Sequence, residues 1–447
     1  MFYGILATKD GTITSLSIDG VRKTGSNSGQ SEIVELYHLT SSLSNNGNSR
    51  ILMHFDTTSF SRSMAAGDIP TASVEFRLKL KDAAHRQEVP YSYDIEVYAL
   101  SRSWDEGRGL SMQDEGLKDS GFSNWTNSTA MQTWDTEGGD FYTTVSASQH
   151  FDFGTEDLDV DISSIVYSWL TGGVPNNGVL IKFNDFYETG SVDYKYKKFF
   201  SRHALVPERR PRIDALWENS IQDDRSEFPY NLTGTLAYYW FVGGSPNVIG
   251  ESLFVDIIDS GSSVVQTLTA STIDEGIYQI SGVFIEPVDG TDIFRDVWFT
   301  DSRQLFTGTV EPVYATGSQL LNFDSISVNI PNIKKEYYTD EEIIVRVFAR
   351  KTDYKPAVVQ RSDLTPDPLL LRQAYFQIEN ADTGDVVIPF STGSLDFSKL
   401  SYDFEGNYFK MWTSGLAPSN VYKIKILIDY NEKRYIFDKG WKLKIRD

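Results

Sequence analysis

The feature that most restricts this chain is a side-chain alternation with a period of two, repeated from one end to the other. Ser73-Val74-Glu75-Phe76-Arg77-Leu78-Lys79-Leu80 puts four apolar residues on one face, as an extended strand with successive side chains on opposite faces requires. Residues 93–100, 343–348 and 422–428 repeat the pattern. Short alternating runs punctuated by Gly, Asn, Asp and Ser predict β-sandwiches or jelly rolls. One segment has a helical period instead. Between Asp161 and Leu170, residues Ile162, Ile165, Val166 and Trp169 share a face, Asp161 or Ser163 can cap the start, and Gly172-Gly173 stops it.

The 447 residues suit two to four domains at roughly 100–200 residues each. A boundary is expected after Arg210-Pro211-Arg212-Ile213-Asp214-Ala215-Leu216-Trp217. The following residues, 218–229, begin with a polar run that lacks alternation and read as a linker. A second unit is expected at 230–316 and a third at 317–447. They share a layout in which Gly276-Ile277-Tyr278 and Gly406-Asn407-Tyr408 each lead into final strands. No short strict repeat points to a solenoid or propeller. The expected fold is therefore all-β, an N-terminal jelly-roll sandwich (1–217) followed by two Ig-like β-sandwiches.

Charge and residue usage narrow the function. A net charge of −21 and a pI near 4.7 repel phosphate and anionic lipid, so neither nucleic acid nor membrane is an expected partner. The absence of cysteine excludes disulfides, thiolate catalysis and Cys-ligated metal. The opening ten residues carry no basic leader, and no apolar run is long enough to span a bilayer. His38, His54, His85, His150 and His203 show no paired metal-ligand spacing, and none lies beyond position 203, so a Ser-His-Asp triad cannot form in the C-terminal half. Gly-x-Gly-x-x-Gly and P-loop signatures are missing too. Binding or assembly is expected, not catalysis.

Several residues carry two readings. Trp104-Asp105-Glu106-Gly107 and the run Trp134 to Asp140 suit a ligand-binding loop, with indoles stacking on sugars and Asp105, Glu106 and Asp140 accepting hydroxyl hydrogens or holding Ca2+. The other reading puts both tryptophans in the core and the glycines in tight turns. Asp105/Glu106 and Glu137/Asp140 are carboxylate pairs of the sort a glycosidase needs, in a chain where acidic neighbours are common. Asp157, Asp159 and Asp161 share one side of a strand, as a calcium locus or as a solvated edge. Lys195, Lys197, Lys198, Arg202, Arg209, Arg210 and Arg212 form the one basic contrast, as a docking patch for an acidic neighbour or as a solvated strand pair. No cofactor is expected, and calcium is the one ion considered.

Six features come in order over the first half of the chain: Ala7-Thr8-Lys9-Asp10-Gly11-Thr12-Ile13; Ser49-Arg50-Ile51-Leu52-Met53-His54-Phe55-Asp56; Ser103-Trp104-Asp105-Glu106-Gly107-Arg108-Gly109; Thr133-Trp134-Asp135-Thr136-Glu137-Gly138-Gly139-Asp140; the Asp161–Trp169 helix with Asn177-Gly178-Val179-Leu180; and Arg210-Pro211-Arg212-Ile213. Together they resemble the DNRLRE-type jelly-roll domain, related to carbohydrate-binding modules of disaggregatase-like enzymes. The Arg-Ser-Trp-Asp-Glu-Gly run, Lys197-Lys198-Phe199-Phe200-Ser201 and the C-terminal layout are similar to virion proteins of tailed phages of marine bacteria and cyanobacteria. Secreted members of the family follow a leader or a catalytic domain, and neither is seen here. The resemblance implies a structural component of the virion, at the neck, collar or tail periphery. Its partners would be other virion proteins and further copies of itself in a symmetric assembly. The alternative it implies is an adhesin for host polysaccharide.

Overall fold

The computed structural model describes residues 1–18, 20–40, 46–85, 90–110, 122–283, 293–313, 326–351, 368–430 and 433–447. The chain divides into two compact units, one of Phe2–Trp217 with Thr413–Pro418, the other of Met1, Glu218–Trp412 and Ser419–Asp447.

The first unit is the expected jelly-roll sandwich. Its opening strand, Phe2–Thr14, is long enough to serve two sheets. Phe2–Leu6 pairs antiparallel with Arg212–Leu216; after a register shift between Ala7 and Lys9 the strand pairs with Asn46–Phe55. One sheet continues from Arg212–Leu216 to Glu75–Leu80 and Leu158–Asp161. The other runs from Asn46–Phe55 through Val179–Phe183 and Tyr93–Leu100 to Phe141–Phe151, with Ile33–Thr40 and Tyr194–Phe200 branching from it. Register keeps apolar residues together: Phe76 faces Ala215, and Leu78 faces Ile213. Aromatic rings fill the interior, with Tyr93 stacked on Phe151 at 5.2 Å and edge-on to Phe183 at 5.3 Å. The predicted helix spans Ser163–Leu170 and buries Ile165, Val166 and Trp169. Ile162 holds the N-cap position without a side-chain cap; Asp161, just before it, accepts from the Ser163 N–H at 2.8 Å, and Gly172 follows at φ +74°.

Val179–Phe183 is buried at all five positions, so both faces of this central strand are covered. Val179, Ile181 and Phe183 face one way. Leu180 faces the other, into a cluster with Trp104, Trp125 and Trp134. Lys182 shares that second face and is 1 % exposed, with Glu96 at 3.6 Å, Glu188 at 3.7 Å and Asp185 around its ammonium. Arg50 grips Glu188 through two bonds of 3.0 and 2.7 Å. A buried charge survives only when paired and hydrogen-bonded in this way.

The second unit holds two Ig-like sandwiches. In the first, Thr233–Tyr239, Ile277–Val283 and Ser271–Asp274 form one sheet, and Val264–Thr269, Phe254–Ile258, Phe294–Phe299 and Gln304–Val310 the other. Leu236, Tyr238, Val255, Ile257, Ile280 and Trp298 lie in its core. The second has a four-stranded sheet of Ile326–Asn329, Glu342–Lys351, Gly406–Trp412 and Ser401–Asp403. Its five-stranded sheet contains Glu336–Tyr338, Lys433–Arg446, Val421–Tyr430, Ala374–Asn380 and Val386–Ile388. Phe376 stacks on Phe409 at 4.1 Å in this sandwich. Each sandwich has one parallel pairing of an early strand with its last: Phe228–Pro229 with Pro312–Val313, and Glu336–Tyr338 with Lys444–Arg446. The shared Gly-x-Tyr element has a structural reason. Gly276 (φ +71°) and Gly406 (φ +114°) turn the chain into a strand, and Tyr278 and Tyr408 are buried behind them.

Residues 218–229 correct the sequence reading, for they are not a linker. Ile221, Asp223, Asp224 and Phe228 are buried, and Phe228–Pro229 is the early strand of the first Ig-like sandwich. Gln222 makes a parallel bridge to Tyr402. Asp223 N–H donates to Tyr402 O at 3.1 Å, Tyr402 N–H returns to Ile221 O at 2.9 Å, and the Tyr402 hydroxyl donates to Asp224 at 2.8 Å. Arg225 in turn binds Asp296 through two contacts of 2.6 Å. The run looked like a linker because its polar groups are satisfied by long-range partners divided between the two sandwiches, not by an alternating neighbour.

Burial pushes the Asp223 carboxyl up to about 6, against the opposing pull of Arg225. The folded state therefore holds this proton more tightly than the unfolded chain. Its stabilising contribution is complete below the unfolded pKa of 3.8 and is lost as pH rises through about 6. Asp223→Asn removes that loss. Its unfolding free energy relative to the unsubstituted chain is expected to rise by up to about 3 kcal/mol between pH 4 and pH 8. Urea melts at the two pH values check this, and an unchanged difference rejects it.

Candidate functional site

The segment between Tyr93–Leu100 and Phe141–Phe151 carries the residues singled out in the sequence as a possible ligand-binding loop. Trp104 and Trp134 are 3 % and 4 % exposed and pack with Ile13, Leu52, Leu100, Trp125 and Leu180. Their indole N–H groups are bonded inside the domain, Trp104 to Asn177 O at 3.0 Å and Trp134 to Asn124 O at 2.8 Å. The stacking platform is thus corrected to a lid that buries the outer face of the Val179–Phe183 strand. Asp140 closes a turn, accepting from Asp135 and Thr136 N–H at 2.8 Å each and pairing with Arg102 at 3.0 Å. Glu137 reaches Arg22 at 3.3 Å. Asp105 is exposed, whereas its neighbour Glu106 turns inward, so the two do not face a common substrate.

The acidic run 156–161 does not gather a cation cage either. Asp157 binds Lys81 at 2.7 Å and the Asp82 N–H at 2.8 Å. Asp159 pairs with Arg77 at 2.6 Å and Lys79 at 3.5 Å, and Asp161 accepts from the N–H and hydroxyl of Ser163. The strand register that sets Lys79 opposite Asp159 makes the run a charge ladder along a sheet edge.

The basic residues are likewise committed. Lys195 has its side chain outside the described residues. Lys197 is fully buried, donating to Gly154 O at 2.9 Å and Glu156 O at 2.8 Å beside Asp82, with Phe199 beneath it at 4.8 Å. Lys198 pairs with Glu35 at 2.7 Å. Arg209 lies 5.4 Å over Phe200, and Arg210 donates to Ala204 O at 2.9 Å. Among the described residues of the expected docking patch, these cations neutralise or cover groups of their own domain.

Arg202 leads to the most unusual site. Its guanidinium holds Glu106 through Nε and Nη2, each at 2.6 Å. Its backbone N–H donates to Asp10 Oδ2 at 2.6 Å, and Asp10's own N–H donates to Glu106 Oε1 at 2.9 Å. Asp10 is 0 % exposed. Burial pushes its carboxyl up to about 7, with Glu106 adding to the rise and Arg202 opposing it. Asp10 Oδ1 and His203 Nε2 are both buried without a hydrogen-bond partner. One ligand atom from each of Asp10, Glu106 and His203 lies within 4.8 Å of the other two, an arrangement found once among the described residues.

Close backbone packing fixes Glu106 in place. Asn27 Oδ1 accepts from Gly109 N–H at 3.2 Å, and Gln30 N–H donates to Gly109 O at 3.0 Å. A Cβ on Gly109 would lie 2.0 Å from Asn27 O, and one on Gly29 would lie 2.3 Å from Gly107 O. The glycines of Glu106-Gly107-Arg108-Gly109 are there for proximity. Sequence reading found Glu106 and Arg202 but not the cluster, because Asp10 and His203 are far apart and match no spacing rule. One signal was present: Asp10, Thr12 and Thr14 alternate along the strand, and all three are buried, whereas Thr8 on the same strand is exposed.

No family model matches the chain, and no curated protein sequence does. Among solved structures, the tandem Ig repeats of Dlar are 8 % identical with a TM-score of 0.17, covering 50 % of this chain and 93 % of that one. The titin Ig tandem domains A164-A165 are 9 % identical with a TM-score of 0.16, covering 50 % and 92 %. The trypsin-activated alpha-2-macroglobulin of Escherichia coli is 8 % identical with a TM-score of 0.18, covering 90 % of this chain and 23 % of that one. Likenesses of this size say nothing about function.

Trp134→Ala is expected to lower the unfolding free energy by about 3–5 kcal/mol, the cost of emptying a core aromatic site. Gly109→Ala should cost about 1–3 kcal/mol through overpacking. Denaturant melts of the two variants check both, and a Trp134→Ala protein as stable as the parent removes this account of the lid.

Proposed function

We propose that the protein is a structural component of a tailed-phage virion that acts by protein–protein assembly and not by catalysis. The observation that supports this reading is the character of its sheet edges. Val264–Thr269 and Gln304–Val310 are the two outer strands of one sheet, and Phe141–Phe151 is an outer strand of the jelly roll. None of the three contains Asp, Glu, Lys or Arg, in a chain that is 23 % charged. By contrast, the outer strand Leu158–Asp161 carries two aspartates. An unpaired edge is a template for another strand, and proteins that must stay apart protect it with charge. Leaving these edges uncharged suits a chain built to receive neighbours.

The exposed apolar side chains agree. Val264 and Val265 are 54 % and 52 % exposed, and Phe241, Val242 and Val248 are exposed in the same sandwich. A strand or sandwich face of a neighbouring virion subunit fits such a surface, with main-chain bonds supplying affinity and apolar contacts supplying register. The jelly roll's resemblance to phage virion domains supports the same setting. Host polysaccharide finds less support, since the indoles of Trp104 and Trp134 face the core.

Mass spectrometry of purified particles tests the reading directly: the protein is expected at stoichiometric abundance, and its absence sinks the proposal. Val265→Lys and Thr307→Lys place charge at exposed edge positions, where the folded subunit should change stability by less than about 0.5 kcal/mol. Their incorporation into particles is expected to fall well below that of the parent. Equal incorporation of both would remove the edges from the assembly mechanism.

A further inference from the structure

We propose that Asp10, Glu106 and His203 bind a divalent transition-metal ion of the zinc class, which staples the opening strand of the jelly roll to two of its long connections. The inference is independent of the assembly role.

The donor set comes first. One imidazole nitrogen and two carboxylate oxygens suit zinc and its neighbours, whereas calcium takes six to eight oxygen ligands. Two of the three residues each offer an atom that the fold leaves without a partner. Asp10 Oδ1 and His203 Nε2 are buried and accept or donate no hydrogen bond, and leaving such groups unsatisfied costs about 1–3 kcal/mol each. Glu106 Oε1 already accepts from Asp10 N–H and Arg202 Nε, whereas among the described residues Oε2 accepts from Arg202 Nη2 alone. A carboxylate oxygen has two lone-pair directions, so Oε2 keeps one for an ion.

The spacing is within reach. Zinc bonds of about 2.0–2.1 Å set ligand separations of about 3.4 Å in a tetrahedron. From a ceiling of 4.8 Å, the side chains would have to close by at most about 1.4 Å, which rotation about their own bonds supplies. Water completes the fourth position.

The surroundings resemble a metal site's outer shell. Arg202 holds both Glu106 oxygens, and its N–H holds Asp10 Oδ2, so the ligands are oriented before any ion arrives. The guanidinium charge works against the ion. Affinity is therefore expected in the micromolar range, not that of an all-cysteine structural site. The mechanical result is a crosslink among the Phe2–Thr14 strand, the 101–140 connection at Glu106 and the 201–211 connection at His203.

The test uses the full chain after chelator treatment. Calorimetric titration with Zn2+ is expected to show one equivalent bound per chain and a rise in melting temperature. Co2+ is expected to bind in its place with visible d–d absorption of tetrahedral strength. Asp10→Asn and His203→Gln, each checked for native near-ultraviolet dichroism, should each lose the equivalent and the absorption. Asp10→Asn removes a buried charge and should remain folded even if His203→Gln does not. Failure of the parent chain to bind Zn2+ or Co2+ overturns the proposal and leaves a hydrogen-bonded or water-bridged polar cluster. Binding that persists unchanged in a folded variant overturns it too, and so does a preference for Ca2+ over Zn2+.

Discussion

The jelly-roll unit depends on one strand being shared between two sheets. Phe2–Leu6 is committed to Arg212–Leu216, and the same strand from Ala7 onward is committed to Asn46–Phe55. The shift between Ala7 and Lys9 lets the strand change partner without ending, because an irregular residue bends and twists the backbone locally. Its pairing with Arg212–Leu216 closes nearly the whole length of the unit. Such non-local closure carries a large loop entropy that only the completed core repays. The residues just after the bend, Asp10, Thr12 and Thr14, are buried and polar, so the bend also decides where the polar interior lies.

That polar interior has a common logic. Lys182, Lys197, Asp10 and Asp296 are all nearly or fully buried, and each sits near a group of opposite charge, which for Asp10 is Arg202. Isolated burial of any one would cost several kcal/mol, so each fixes a geometry that its partner must satisfy. Pairing recovers much of the desolvation cost and leaves specificity as the gain: Lys182 can sit behind the tryptophan lid only if Glu96, Asp185 and Glu188 converge on it. The Asp10 cluster departs from the pattern, for two of its buried atoms have no partner at all.

The sequence was most legible where one face of an element is apolar. The alternation in Glu75–Leu80, the helix over Ser163–Leu170 and the paired Gly-x-Tyr elements were all readable, because period and turn chemistry are local properties. The basic run was misleading for the opposite reason. Lys197 and Lys198 are neighbours in sequence, yet one is buried between Asp82 and two carbonyls and the other pairs with Glu35. Charge density along a chain does not say which side of a strand meets an acidic partner. Residues 218–229 failed in the same way, since several of their hydrogen bonds go to Ser401 and Tyr402, some 180 positions away.

Net charge and edge character have to be reconciled in the same molecule. A charge of −21 keeps copies apart through long-range repulsion, but screening confines that repulsion to about 8 Å at physiological ionic strength. Beyond that distance an uncharged edge gains nothing from the surplus elsewhere. Within it, the local residues decide, and Val264–Thr269 offers unpaired backbone groups flanked by exposed valines. Acidity therefore slows random encounter without protecting the edge once a neighbour is held in place. A surface of this kind resists random encounter and pairs once another contact has already fixed the orientation.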